Sequence, residues 1–210
     1  MDKNKNAVNI FNKLADVYQL KFMDVSMYHS GLDFFCNSIE NETAAILELA
    51  CGPGNITRYI LDQRPKFKIM GTDLAPNMIA LAQANNPEAE FKLLDCRNIN
   101  ALNRKFDAVI CGFCLPYLDK SETLKLLKDA CKILNESGIL YLSTIKGDYE
   151  KSEFRKGSSG DLIFMHYYDI DFLSDVLKKN HFSILKIEEI VSEMSDGNSV
   201  TDLAIVAKKI

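Results

Sequence analysis

The stretch that most constrains this chain is Ile46–Asn55, which reads Ile-Leu-Glu-Leu-Ala-Cys-Gly-Pro-Gly-Asn. An apolar run, Ala44–Leu49, leads straight into a Gly-x-Gly turn, and Ile56, Tyr59 and Ile60 then recur at helical spacing. A buried strand therefore turns sharply into a helix through a segment almost bare of side chains. Such a turn lets backbone lie against a ligand. Asp73 stands 21 residues beyond Gly52 and follows a second apolar run, Phe67–Gly71, so it projects from the tip of a second strand. A glycine turn with a strand-end carboxylate at this distance is suited to holding a nucleoside, with the acid accepting both ribose hydroxyls.

The dinucleotide fingerprint Gly-x-Gly-x-x-Gly lets a helix N-terminus meet a pyrophosphate. Gly52–Thr57 has no glycine at the third place. Glu48 precedes the turn instead, and a carboxylate there repels pyrophosphate but attracts a cation. The run Glu-Leu-Ala-Cys-Gly-Pro-Gly-Asn resembles the first motif of the class I S-adenosylmethionine-dependent methyltransferases, with Ala50 in place of the motif's first glycine. That cofactor carries a sulfonium and an ammonium and no phosphate. The resemblance implies that Asp95 accepts the adenine amino group while the Cys96 backbone amide meets the ring. Carried over residue by residue, it sets the cofactor against Tyr18, Glu48, Ala50, Cys51, Gly52, Gly54, Asp73, Leu74, Asp95, Cys96, Cys111 and Phe113.

Composition bounds the rest. The chain has 210 residues, 47% of them apolar, enough for one domain with a substantial core. Its net charge of −4 argues against a general electrostatic grip on nucleic acid. The opening Met1–Asn6 is polar and no apolar signal core follows, and the longest uncharged stretch, Ala108–Leu118, falls short of the ~20 residues a membrane helix needs. The six cysteines lie mostly within apolar runs, which reads as reduced thiols in a cytoplasmic protein, with no membrane partner.

From Ala44 onward strands alternate with helices, the signature of an α/β fold with a mostly parallel sheet and helices on both faces. Strands are expected at Ala44–Ala50, Phe67–Thr72, Ala89–Leu94, Phe106–Cys111, Gly138–Ile145, Phe182–Ile190 and Val200–Ala207. Helices are expected at Asn55–Gln63, Pro76–Asn85, Ser121–Leu134 and Asp171–Asn180, with Asp119 or Ser121 capping the third. The linker Ser192–Ser199 is too short for a crossover helix, so the last two strands should be antiparallel neighbours. A seven-stranded Rossmann-like sheet with one antiparallel last strand is what the resemblance implies. Residues 1–42 read as an N-terminal helical cap, with stripes over Val8–Phe22 and Leu32–Ile39 covering one side of the cleft. Residues 43–210 read as the methyltransferase domain.

Leu14-Ala-Asp-Val-Tyr18 is similar to the N-terminal stretch of many small-molecule methyltransferases, where an aromatic closes over the cofactor. Tyr18 is the lid candidate, ahead of Tyr28. Cys111-Gly-Phe-Cys114 lacks the second pair of a zinc site and the helix-start position of a redox motif, so it reads as a strand end with Gly112 allowing close approach. Cys114-Leu-Pro-Tyr117 lacks the Asn-Pro-Pro-aromatic pattern of enzymes that methylate nucleobase or amide nitrogens. Cys-Leu-Pro-Tyr-Leu-Asp119 instead resembles the corresponding segment of small-molecule methyltransferases, which implies a small-molecule acceptor with Tyr117 as a contact. Residues 147–168 form a long connection holding Gly157-Ser-Ser-Gly160 and many aromatics, a candidate substrate lid. Within it His166 is the candidate general base; His29 is less placed for chemistry, and His181 begins a strand. The expectation is methyl transfer to a small carboxylate, hydroxyl or amine. A domain that binds the same cofactor without turnover, or a nicotinamide-dependent oxidoreductase, are the alternatives, and the sequence gives no sign of a metal or of an oligomeric state.

Overall fold

The computed structural model describes residues 3–157, 159–193, 197 and 199–210. Its strands are β1 (Ala45–Leu49), β2 (Lys68–Asp73), β3 (Glu90–Leu93), β4 (Phe106–Gly112), β5 (Leu134–Ile145), β6 (Glu153–Lys156), β7 (Leu162–Met165), β8 (Phe182–Glu193) and β9 (Ser199–Lys209). Its α-helices are α1 (Lys3–Lys13), α2 (Ala15–Phe22), α3 (His29–Asn37), α4 (Asn55–Gln63), α5 (Pro76–Asn85), α6 (Lys120–Ile133) and α7 (Ile170–Lys179). No described helix is long and apolar enough to cross a membrane.

Seven strands form one sheet in the order β3-β2-β1-β4-β5-β9-β8. β1 runs parallel to both β2 and β4, and Ile46, Leu47 and Leu49 are buried. A strand covered on both faces needs an unbroken apolar run, which is why Ala44–Leu49 does not alternate. β9 is antiparallel to β5 and β8, so the chain's last strand is the reversed one, as expected. Part of the Ser192–Ser199 linker lies outside the described residues.

The two sheet faces carry separate cores. On one, Leu126, Leu127 and Ala130 of α6 and Leu173 and Leu177 of α7 pack over Leu49, Val109 and Leu140. On the other, Leu32, Phe35 and Cys36 of α3 and Ile60 of α4 pack over Ile46, Ala108, Ile110 and Tyr141. α6 opens with a capping box, in which Asp119 accepts from the Glu122 amide at 2.8 Å and Glu122 accepts from the Asp119 amide at 3.0 Å. Asp119 is therefore the cap, and the Ser121 hydroxyl donates to it.

Three local differences from the sequence reading have physical causes. The N-terminal stripe is two helices, broken at Leu14, which takes φ −106° and ψ 17°. α3 packs into the sheet core, so of the cap only α1 and α2 roof the cleft. The 147–168 connection contains a hairpin, β6 with β7, in which Phe154 pairs with Phe164. The short apolar segment Leu162–Met165 beyond a glycine-bearing turn was the available signal; Ser158 in that turn lies outside the described residues.

Candidate functional site

The chain order runs outward from β1 to β3 and then returns to β4 on the other side of β1. Ligands in open α/β sheets bind at such a switch, outside the carboxyl ends of the strands. A cavity of about 110 Å³ lies there. Its floor is Ala50 and Gly52 after β1, Asp73 and Leu74 at the end of β2, Leu94 and Cys96 after β3, and Gly112, Phe113 and Cys114 at the end of β4. Its roof is Asn4, Ala7, Val8 and Phe11 of α1 and Tyr18 of α2, with Met78 of α5 and Tyr117 completing the wall.

The backbone makes this floor. Gly52 and Gly54 take φ +53° and +79°, the left-handed region that glycine enters freely. A Cβ on Gly52 would meet only the Tyr18 ring, at 3.7 Å, so the glycine leaves a cradle open toward the cavity. Ala50 and Phe113 also have positive φ, both +50°, at the tips of neighbouring strands. Each is an L-residue held in a costly conformation on the wall of one cavity, and such strain clusters at ligand sites.

Asp73 binds back to the turn. Its Oδ2 accepts from the Gly52 amide at 3.0 Å and its Oδ1 from the Ala75 amide at 2.8 Å. Each carboxylate oxygen keeps a further lone pair, enough for a pair of neighbouring hydroxyls. Burial raises its pKa, and the amides oppose that shift. No Lys or Arg is among the described residues that line the cavity, so nothing there neutralises a pyrophosphate. The glycine cradle and the strand-end acid fit a nucleoside that carries positive charge and no phosphate.

Of the residues singled out from sequence, Tyr18, Ala50, Gly52, Asp73, Leu74, Cys96, Phe113 and Tyr117 come together on the cavity wall. The others stand behind it. Glu48 is buried beneath the turn, where the Thr57 hydroxyl donates to it, and burial pushes its pKa up to about 8. Burial thus favours the neutral carboxyl, and Glu48 stands behind the cavity wall instead of on it. Cys51 is buried, Cys111 is buried in the sheet core, and Gly54 packs against Asn86. Asp95 is tied to the Arg97 guanidinium at 2.6 Å, which with the Arg97 amide holds its carboxyl below the usual range.

His166 lies off the wall. Its ring stacks on Tyr149 at 5.3 Å, its backbone amide donates to the Pro116 carbonyl, and its Nδ1 has no hydrogen-bond partner. Burial and nearby Lys3 lower its pKa, so the ring is neutral. Burial and the Asp73 charge raise the Tyr18 hydroxyl to about 12, and burial raises Tyr117 further. Tyr28 donates to Asp202 at 2.8 Å and packs on Phe113 from behind the wall. Sequence reading missed Asn4, Ala7 and Met78, and took Phe11 for part of a packing stripe. No local motif marks any of them, because they reach the cavity only through helix packing.

A family profile described as a methyltransferase domain matches residues 46–138. The demethylmenaquinone methyltransferase of Thermotoga maritima is 25% identical over 144 residues, 66% of this chain and 61% of that protein. The malonyl-[acyl-carrier protein] O-methyltransferase of Priestia megaterium is 31% identical over 138 residues, 64% of this chain and 49% of that protein. The chain thus spans less than two thirds of the length of these curated relatives. In fold, it is similar to the magnesium protoporphyrin IX methyltransferase of Synechocystis PCC 6803, solved with S-adenosylhomocysteine bound. That likeness has a TM-score of 0.75 at 14% identity and covers 100% of each chain. The glycine turn and the strand-end acid Asp73 both fall within the segment that the methyltransferase-domain profile matches, so over residues 46–138 the chain is similar to a methyltransferase domain in sequence, and over its whole length in fold.

Proposed function

We propose that the crevice binds S-adenosylmethionine and that the chain transfers its methyl group to a small-molecule acceptor. The observation that carries this reading is Asp73 on the cavity wall, bonded to the amide of a Gly52 whose missing side chain leaves the cradle open. When bound, this cofactor supplies a methyl group on a cationic sulfur, which a nucleophile displaces in line.

The chain's own residues bind, orient and exclude water. Asp73 accepts the ribose hydroxyls with its remaining lone pairs. Leu74, Leu94 and Cys96 form the adenine side, with Asp95 held back by Arg97. Phe11, Tyr18, Phe113 and Tyr117 surround the rest, and aromatic faces favour a cation where water is excluded. Holding donor and acceptor at near-attack distance supplies up to ~7–11 kcal/mol in favourable cases.

Neither wall tyrosine releases its proton near neutral pH. An acceptor already competent as a nucleophile, such as a carboxylate, therefore suits the site better than a hydroxyl or ammonium that needs a base. His166 is the base available to other acceptors, and reaching the cavity would take a movement of its ring. The names of the two curated relatives support a small acceptor in a general way, and the acidic net charge of −4 is poorly suited to nucleic acid. Incubation with methyl-labelled donor and a panel of carboxylic acids, phenols and amines tests the reading. Labelled ester from one or more acids is the expected result. No product from any class, with the cofactor demonstrably bound, would contradict catalysis and leave a binding domain.

A further inference from the structure

Cys96 and Cys114 come from the ends of different strands, β3 and β4, yet their sulfurs lie 3.3 Å apart. Both are buried, and both line the cavity. A disulfide needs a separation of ~2.05 Å, so bond formation asks for a closure of only about 1 Å. Neither cysteine is fixed in a strand. Cys96 opens the 3-10 segment Cys96–Leu102, and Cys114 precedes the 3-10 turn Leu115–Tyr117. Among the described residues, no group of three or more side chains is placed to hold a metal ion, which removes the commonest other use of neighbouring thiols.

We propose that Cys96 and Cys114 form a reversible disulfide across the cavity wall, made by peroxide and broken by dithiol reductants, which closes the cofactor site. In the first step one thiolate attacks a peroxide oxygen. The O–O bond breaks, a sulfenic acid forms, and the departing hydroxide takes a proton and leaves as water. The second sulfur then displaces the sulfenic hydroxyl, which leaves as a second water once protonated. Two thiols lose two electrons and two protons, and one peroxide becomes two waters. A dithiol reverses the bond by exchange and is itself oxidised to a disulfide.

The link would join the end of β3, where adenine is placed, to the end of β4, beside Phe113. Drawing those walls together narrows the space the cofactor needs. Both thiols sit well above their usual pKa, so little thiolate is present and the reaction is slow. The oxidant enters through the cavity, which rests on the reading that the cofactor occupies it. A bound cofactor therefore shields the pair.

Thiol counting on the full chain tests this. Reduced protein is treated with hydrogen peroxide, denatured in acid, alkylated and digested. The six free thiols should fall to four, with one cross-linked peptide pair joining Cys96 to Cys114 and full recovery on dithiothreitol. Cys111→Ser should keep the link, whereas Cys114→Ser and, separately, Cys96→Ala should abolish it. Saturating S-adenosylhomocysteine should slow its formation at least ten-fold. Six thiols still free, or a link through Cys111 instead, would overturn the proposal. A link that forms at an unchanged rate with the cofactor bound by calorimetry would overturn the route through the cavity. A link that forms while calorimetry detects no cofactor would uphold the thiol pair and bring down the cofactor reading alone.

Discussion

The floor of the crevice is made of strand ends held in register by the hydrogen bonds of one parallel sheet. Its roof is made of two short helices held by scattered side chains. Asn6 donates to the Leu162 carbonyl at 2.9 Å, Lys13 pairs with Asp161 at 3.3 Å, and the Lys3 ammonium lies 3.3 Å from the Phe164 ring centre. The 147–168 connection thus braces α1. Phe11 then meets Tyr18 and Tyr117 edge-on, closing the roof onto the floor. Directly beneath the floor Gly54 has no room for a Cβ, whereas the roof is stitched by contacts each worth little. A pocket for a nucleoside-sized ligand usually offers roughly 300 Å³ or more, against about 110 Å³ here. A ligand of that size needs more room than the closed cavity holds, and the roof, with the weaker contacts, is the wall that can give.

A substitution that pushes on the floor should have the largest effect. In Gly54→Ala the new Cβ would lie 2.3 Å from Asn86 Nδ2 at a φ of +79°. Asn86 cannot yield readily, because it is buried and donates to the Gly54 and Ala82 carbonyls. A loss of about 2–4 kcal/mol follows, seen as a Tm lower by about 5–15 °C. A roof change should cost less and act on rate. Phe11→Ala removes two ring contacts outside the main core, worth about 1–2 kcal/mol together. Stopped-flow mixing should show the cofactor entering faster than in the parent. A slower entry would mean that the roof guides the ligand instead of barring it.

Glu48 sharpens the comparison through pH. Its carboxyl titrates at an ordinary 4.5 when unfolded and at about 8 in the fold. The proton is therefore held more tightly in the native state. Its contribution to stability is complete below pH 4.5, declines as pH rises from there and is gone above about 8. Glu48→Gln removes this slope, so chemical denaturation should show the variant gaining on the parent between pH 5 and pH 8 (about the window those two values span). The smallest effect belongs to Ala50→Gly. Relief of an L-residue at φ +50° is partly offset by the greater entropy of glycine when unfolded, leaving a gain of up to about 1 kcal/mol.

The same contrast governs what could be read from the sequence. Gly52, Asp73 and Cys96 were legible because each sits at a strand end, and strand ends follow from apolar runs and turn residues nearby in the chain. The seven main strands were legible for the same reason, although β5 starts earlier, at Leu134, with an irregular register opposite Phe106 and Ala108. Asn4 and Ala7 were not legible, because their place on the wall depends on how α1 docks against β7. Glu48 was legible as a residue but not in its state. Spacing shows where a carboxyl lies, and only burial shows that it keeps its proton. The strand-end position of Asp95 was legible, but its pairing with Arg97, two positions on, shows only in the fold.

Calorimetry of the parent and of Asp73→Ala with S-adenosylhomocysteine tests the central claim most directly, with circular dichroism confirming that both are folded. One ligand should bind per parent chain, and the variant, lacking charge-assisted bonds worth about 1.5–3 kcal/mol each to two hydroxyls, should bind over ~100-fold more weakly. Equal affinity in the two proteins, or binding of a nicotinamide dinucleotide with none of S-adenosylhomocysteine, would contradict the account.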